Sequence, residues 1–236
     1  LRRALGHDTV THILVTHRHL DHCAAATTLA HETGAILAAG APGTAMPVPE
    51  GHDHEEGVDE QLLPDVVLRK GEHLAGADWL LEVVPTPGHT SDHLCFSLAQ
   101  DGLLFTGDHV MGWSTSVVIP PDGDMRAYVA SLRLLLARHD RTYLPGHGPA
   151  ITSPHPHVTA LVAHRAERER EIVMAIVAGR HRIPDIVASV YADVDARLHP
   201  AAGLSVLAHL RALVAEKRVA CKTVPTLDAL YTPAGI

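Results

Sequence analysis

Through about residue 150 the chain alternates short apolar runs with Gly and Pro. VTHILVT (10–16), AILAA (35–39), DVVLRK (65–70), LLEVVPT (80–86), HLCFSLA (93–99), GLLFTG (102–107) and TYLPG (142–146) are rich in Val, Ile and Leu and bounded by turn residues, which predicts strands. Between them, CAAATTLAHETG (23–34) and MRAYVASLRLLLARHD (125–140) predict helices; in the second, Tyr128, Leu132, Leu135 and Leu136 fall at helical spacing. This mixture predicts a layered α/β domain with sheet inside and helices outside. Residues 40–65 are rich in Pro, Gly and acid, have no period, and predict a long surface loop.

After Pro156 the pattern changes. Residues 158–178 read as a long, charged amphipathic helix, followed by helical IPDIVASVYAD (183–193) and GLSVLAHLRALVAEKR (203–218). VACKTVPTLDALYT (219–232) predicts a small two-stranded hairpin. Three helices and a hairpin resemble a winged-helix module, so we divide the chain into 1–157 and 158–236. The start, LRRALGHD, reads as the end of a helix entering a strand, as in a fragment or a processed chain.

Hydrophobic residues make up 46% of the 236, enough for a real core. No apolar run approaches the ~20 residues of a membrane span. Three scattered cysteines form no CxxC pair, and a reducing, cytoplasmic setting is the expectation. The net charge of −8 is uneven: residues 1–163 hold 9 Lys/Arg against 19 Asp/Glu, and residues 164–236 hold 10 against 8. An acidic first part disfavours polyanions unless bound cations offset it.

The candidate chemistry sits at strand ends. ILVTHRHLDHC (13–23) runs from an apolar strand into His17, His19, Asp21 and His22. PTPGHTSDH (85–93) sets His89 after a Pro-Gly turn, LLFTGDH (103–109) sets Asp108 after a strand and a Gly, and YLPGHGP (143–149) sets His147 between glycines. Burying such groups unpaired costs several kcal/mol, so a partner is required. Side chains two apart in an extended segment point the same way, so His17 and His19 reach one cation. Asp21 and His22 lie past the strand end and reach a second. Imidazole and carboxylate suit zinc, with iron or manganese also compatible.

THRHLDH, PGHTSDH, TGDH and PGHG, in this order, resemble the metallo-β-lactamase superfamily. The resemblance implies an αββα sandwich followed by the small helical winged-helix-like domain. It implies two zinc ions: His17, His19 and His89 on the first, Asp21, His22 and His147 on the second, and Asp108 between them. The family usually has several strands before the first motif, and this chain has almost none, so one half of the sandwich is expected to be N-terminally truncated. Cys23-Ala24-Ala25 also stand where the family commonly has glycines.

The implied chemistry is hydrolysis by a metal-bridging hydroxide, with Asp21 binding metal and orienting that hydroxide. The tail most resembles the lactamase-beta-like endoribonuclease branch, which implies single-stranded RNA. The ligand set is shared with hydroxyacylglutathione hydrolases, which implies a small thioester or ester. A reading of another class is an inert fragment that binds nucleic acid or protein. His93 is a candidate proton donor to the leaving group, or else a support for the ligands. His109 reads as local packing, Cys23 as a small buried thiol, and His52 and His54 as solvated. Arg165, Arg168 and Arg170 form either a stripe for RNA phosphates or, with Glu167, Glu169 and Glu171, a salt-bridged helix face.

Overall fold

The computed structural model describes residues 6, 8–42, 57–76 and 78–235. The opening LRRAL, His7, and the part of the expected loop that holds His52 and His54 lie outside the described residues. Strands β1 (His12–Leu14), β2 (Ile36–Gly40) and β3 (Val66–Leu68) form a parallel sheet in the order β1-β2-β3. Strands β4 (His73–Ala75), β5 (Leu80–Pro85), β6 (Leu94–Leu98), β7 (Leu103–Gly107) and β8 (Thr142–Pro145) form a second sheet in chain order. Its neighbours are antiparallel except β7 and β8.

Strand alternation builds the layers. On β2, Leu37 and Ala39 face one way and pack with Val15, Cys23 and Ala26. Ala38 faces the other way and packs with Leu68, Val83, Leu94 and Phe96, so the two sheets meet there face to face. Val84, Cys95 and Leu104 leave the second sheet on its far side and pack with Tyr128, Leu132 and Leu135 of α3 (Met125–Leu136). Each buried Leu, Val or Phe in these layers contributes about 2 kcal/mol by removal from water. Helices α1 (Leu20–Cys23) and α2 (Ala26–Thr33) lie beyond the first sheet, and α3 beyond the second. The result is an α/β sandwich of the αββα type.

The differences from expectation are local. The helix expected at 23–34 begins three residues earlier and breaks at Ala24-Ala25. Helix α3 starts where expected, capped by the Asp124 carboxylate accepting from Ala127 N–H at 2.9 Å, but ends at Leu136. Arg138 then turns to Asp140, with Nε donating to Oδ2 at 2.6 Å. β4 went unforeseen because HLA is too short to show a period.

Helix α4 (Pro154–Val177) is continuous through the expected boundary at 157/158. Its first half gives Val158 and Leu161 to the sandwich core, and its second half gives Ile172, Ala175 and Ile176 to another. That second core holds α5 (Ile183–Val190), α6 (His199–Ala215) and the antiparallel pair β9 (Val219–Cys221) and β10 (Tyr231–Pro233). Pro184 and Pro200 open α5 and α6, where their missing N–H costs nothing. Residues Ala196–Ala215 are, by length and composition alone, long and apolar enough to cross a membrane, contrary to the expectation that no run approaches that length. Here Val206, Leu207, Leu210 and Leu213 are spent on the module's core.

Candidate metal centre

The seven candidate ligands, His17, His19, Asp21, His22, His89, Asp108 and His147, come together in the structure. Val15 N–H donates to Ala38 O at 2.9 Å, the last rung beside β1. The chain then enters His17, Arg18 and His19, all buried, before α1 carries Asp21 and His22. His89 sits in the β5–β6 turn. Its neighbour Gly88 has φ +143°, and a Cβ there would lie 2.2 Å from Tyr128 Cα, so only glycine lets α3 approach this closely. Asp108 follows β7 directly, and His147 follows β8.

These side chains converge as two clusters with one carboxylate between. His19 Nδ1 lies 3.1 Å from His17 Nε2 and 3.1 Å from His89 Nε2. His147 Nε2 lies 3.2 Å from His22 Nε2 and 3.0 Å from Asp21 Oδ2. Asp108, 3% exposed, reaches His22 Nε2 with Oδ1 at 3.2 Å and His147 Nε2 with Oδ2 at 3.6 Å. Burial first, and the surrounding imidazoles after it, hold the His17 ring far below its ordinary pKa, so it is neutral and its lone pair is available.

The donor set fits divalent metal. Three imidazoles directed at one point exceed what N–H···N hydrogen bonding can satisfy. Tetrahedral ligands at Zn–N distances of 2.0–2.1 Å stand about 3.3 Å apart, close to the spacings here. Asp108 Oδ1 is buried and accepts no hydrogen bond, although His22 Nε2 is at ion-pair distance. At Gly146 a Cβ would come within 2.6 Å of both Asp108 Oδ1 and His22 Cε1, so a side chain there would fill the space between the ligands.

Protein groups behind the ligands fix their rings. His89 Nδ1 donates to Val117 O at 2.6 Å, and Thr16 Oγ1 lies 3.0 Å from His17 Nδ1. The loop holding Val117 is anchored from α4: Arg165 donates to Ser116 O, with its guanidinium over the Tyr128 ring at 5.1 Å. Arg165 is thus buried, whereas Arg168 pairs with Glu171 at 2.8 Å and Arg170 with Glu167. Arg18 turns inward, donating to Leu62 O at 2.7 Å with Nε 3.4 Å from Asp92 Oδ2.

His93 is packed beneath the His17 ring. It is 1% exposed, stacks on His17 with centroids 5.1 Å apart, accepts from Asp108 N–H at 3.1 Å, and has Nδ1 2.9 Å from Thr86 Oγ1. Both of its nitrogens thus have partners inside the protein. His109 is fully buried against Tyr128 and pushed down to about 3 by burial. Cys23 is buried, its thiol pushed up to about 11, first by burial. Sequence reasoning missed Arg165 as an anchor, the Val117 carbonyl, and Trp113, whose ring lies over His147 at 6.4 Å between centroids and 13° between planes. The one available signal was a tryptophan in GWSTS, which has no apolar period to bury it.

Comparison with known proteins agrees with this architecture. Residues 1–147 match the model of the metallo-beta-lactamase superfamily, and residues 183–223 match the beta-lactamase associated winged helix domain. The chain belongs to the metallo-beta-lactamase superfamily. It has the superfamily's α/β fold, followed by the associated winged helix. Thioesterase pkgB of Emericella nidulans is 32% identical over 168 residues, covering 70% of this chain and 43% of its own length. An atrochrysone carboxyl ACP thioesterase of Pseudocercospora fijiensis is 29% identical over 192 residues, 77% of this chain and 50% of its own. The beta-lactamase-like protein 2 homolog of Drosophila melanogaster is 33% identical over 142 residues, 59% and 47%. The chain thus spans about half the length of these relatives. A beta-lactamase domain protein from Burkholderia ambifaria shares the fold with a TM-score of 0.74 at 19% identity, over 95% of this chain and 74% of that one.

Proposed function

We propose that this chain is a metal-dependent hydrolase of thioesters, carried by the convergence of His17, His19, His89, Asp21, His22 and His147 around a buried Asp108. Zinc, iron or manganese bound by these residues supplies Lewis acidity and lowers the pKa of water toward neutrality. The choice of thioester over RNA is supported by two similar proteins named thioesterases. It is also supported by the arginines once open to an RNA reading: Arg168 and Arg170 are paired with glutamates and Arg165 is buried.

The chain's own groups divide the work. His17 and His89 are pre-oriented from behind, so little reorganisation accompanies ligation. Asp108 supplies the negative charge that two adjacent cations need. Asp21, whose side chain is 38% exposed, is the carboxylate at the open side. We assign it the orientation of the attacking water, with Oδ2 as first acceptor of its proton. Water oxygen bonds to the acyl carbon, the C–S bond breaks, and the thiolate leaves with little need for a strong acid, which suits a site where His93 is tied up inside.

Thiol release from an acyl thioester by the zinc-loaded chain tests this. The expected result is hydrolysis that stops with chelator and is lost in His17→Ala. A zinc-loaded chain that leaves thioesters intact but cleaves single-stranded RNA would overturn the assignment.

A further inference from the structure

The exposed apolar side chains near the centre are not scattered. Trp113 is 72% exposed, Val117 47%, Leu20 43% and Val58 43%, and each adjoins a ligand. Leu20 stands between His19 and Asp21 in α1. Val58 forms a bridge pair with His19. Val117 offers its carbonyl to His89, and the Trp113 indole lies nearly parallel to His147. Isolated exposed apolar residues are ordinary, but several around one polar centre mark a ligand site.

The position of Trp113 is built into the backbone. Gly112 N–H donates to His147 O at 2.9 Å. A Cβ on Gly148 would come 2.9 Å from Gly112 Cα and 3.0 Å from Trp113 N, so the two segments touch at backbone distance. The indole is thus held at the ligand rim while its ring stays largely in solvent. Arg18, the cation nearest in sequence to the first ligands, points away to Leu62 and Asp92.

We propose that Trp113 is the acyl-recognition platform of the site. Its flat face stacks a planar, aromatic acyl group of the thioester, and Val117, Leu20 and Val58 form the apolar rim around that group. The inference rests on the thioester reading and adds to it the class of acyl group. A nucleobase would also stack on indole, and single-stranded RNA is therefore a comparison ligand in the test.

The chain has two tryptophans, and Trp79 packs edge-on to His12, so Trp79→Phe leaves Trp113 as the single tryptophan, excited selectively at the red edge of indole absorption. In that background, a non-hydrolysable thioether ketone analogue of a benzoyl thioester is titrated into the metal-free chain. Quenching that saturates, and at lower concentration than with the acetyl analogue, is expected. In the zinc-loaded chain, Trp113→Ala is expected to lower the benzoyl-to-acetyl ratio of kcat/KM by about tenfold, mostly through KM, with Trp113→Phe keeping most of it. Thioester hydrolysis with an unchanged ratio in Trp113→Ala, or without quenching, would overturn the platform and leave the thioester reading intact. Failure to hydrolyse any thioester, with quenching by single-stranded RNA instead, would overturn both.

Discussion

At the scale of residues, the site depends on what is absent as much as on what is present. Gly146→Ala places a methyl group against Asp108 Oδ1 and His22 Cε1, so we expect a folded chain with normal circular dichroism that loses zinc affinity by on the order of 100-fold. Unaltered affinity would contradict the geometry. His209 gives a pH test away from the ligands. It is fully buried, neither ring nitrogen is hydrogen-bonded, and burial, with Arg165, Arg168 and His164 around it, pushes its pKa down to about 3. The unfolded chain has an ordinary histidine near 6.5. Between these values the unfolded state binds the extra proton, so this group's stability contribution is complete above pH 6.5 and lost as pH falls toward 3, by up to about 1.4 kcal/mol per unit. Urea midpoints of metal-free protein at pH 7 and pH 5 should converge in His209→Leu relative to the parent; an identical difference would contradict this. The candidate ligands stood out in the sequence because each follows an apolar strand and a tight turn, a pattern no core needs. Trp113 was not, because its place comes from the backbone contact of Gly112 with His147 and Gly148, which are distant in sequence.

At the scale of elements, α4 ties the centre to the tail. Arg165 reaches from this helix to Ser116 O, next to the Val117 carbonyl that orients His89. Arg165→Met keeps much of the packing over Tyr128 and removes the donor. We expect weaker zinc binding, by about tenfold or more in chelator competition, with partial recovery in Arg165→Lys. Equal affinity in all three chains would show that the loop holds itself. Apart from β4, the strands of both sheets were legible because their apolar runs are short and punctuated. The helix at 23–34 was misplaced because the ligand candidates His19 and Asp21 also begin α1, and their polar side chains mask the start of a helical period. The role of Arg165 was hidden because its neighbours Glu167, Arg168, Glu169 and Arg170 read as a solvated face.

At the scale of the molecule, the winged helix shares the core of the sandwich. Ala208 and Ala212 of α6 pack in the same cluster as Tyr128, Leu132 and Leu161. Removing residues 179–236 uncovers that cluster, so the unfolding midpoint of the remaining chain should fall well below that of the parent. An unchanged midpoint would mean that the two parts are independent. A layered α/β domain was legible in the alternating apolar runs, and the sandwich in the resemblance carried by the four motifs. The expected boundary at 157/158 followed a change in composition; the change in packing runs along a single helix between Leu161 and Ile172.

The central claim is that seven side chains hold two ions that carry thioester hydrolysis. The most direct test is a titration of metal-free protein with zinc, following bound zinc per chain and thiol release together. We predict that activity reaches its plateau at two ions per chain. In Asp108→Ala, the second ion should be lost and activity should fall by on the order of 100-fold or more. Full activity at no bound metal, or unchanged stoichiometry and turnover in Asp108→Ala, would contradict the account.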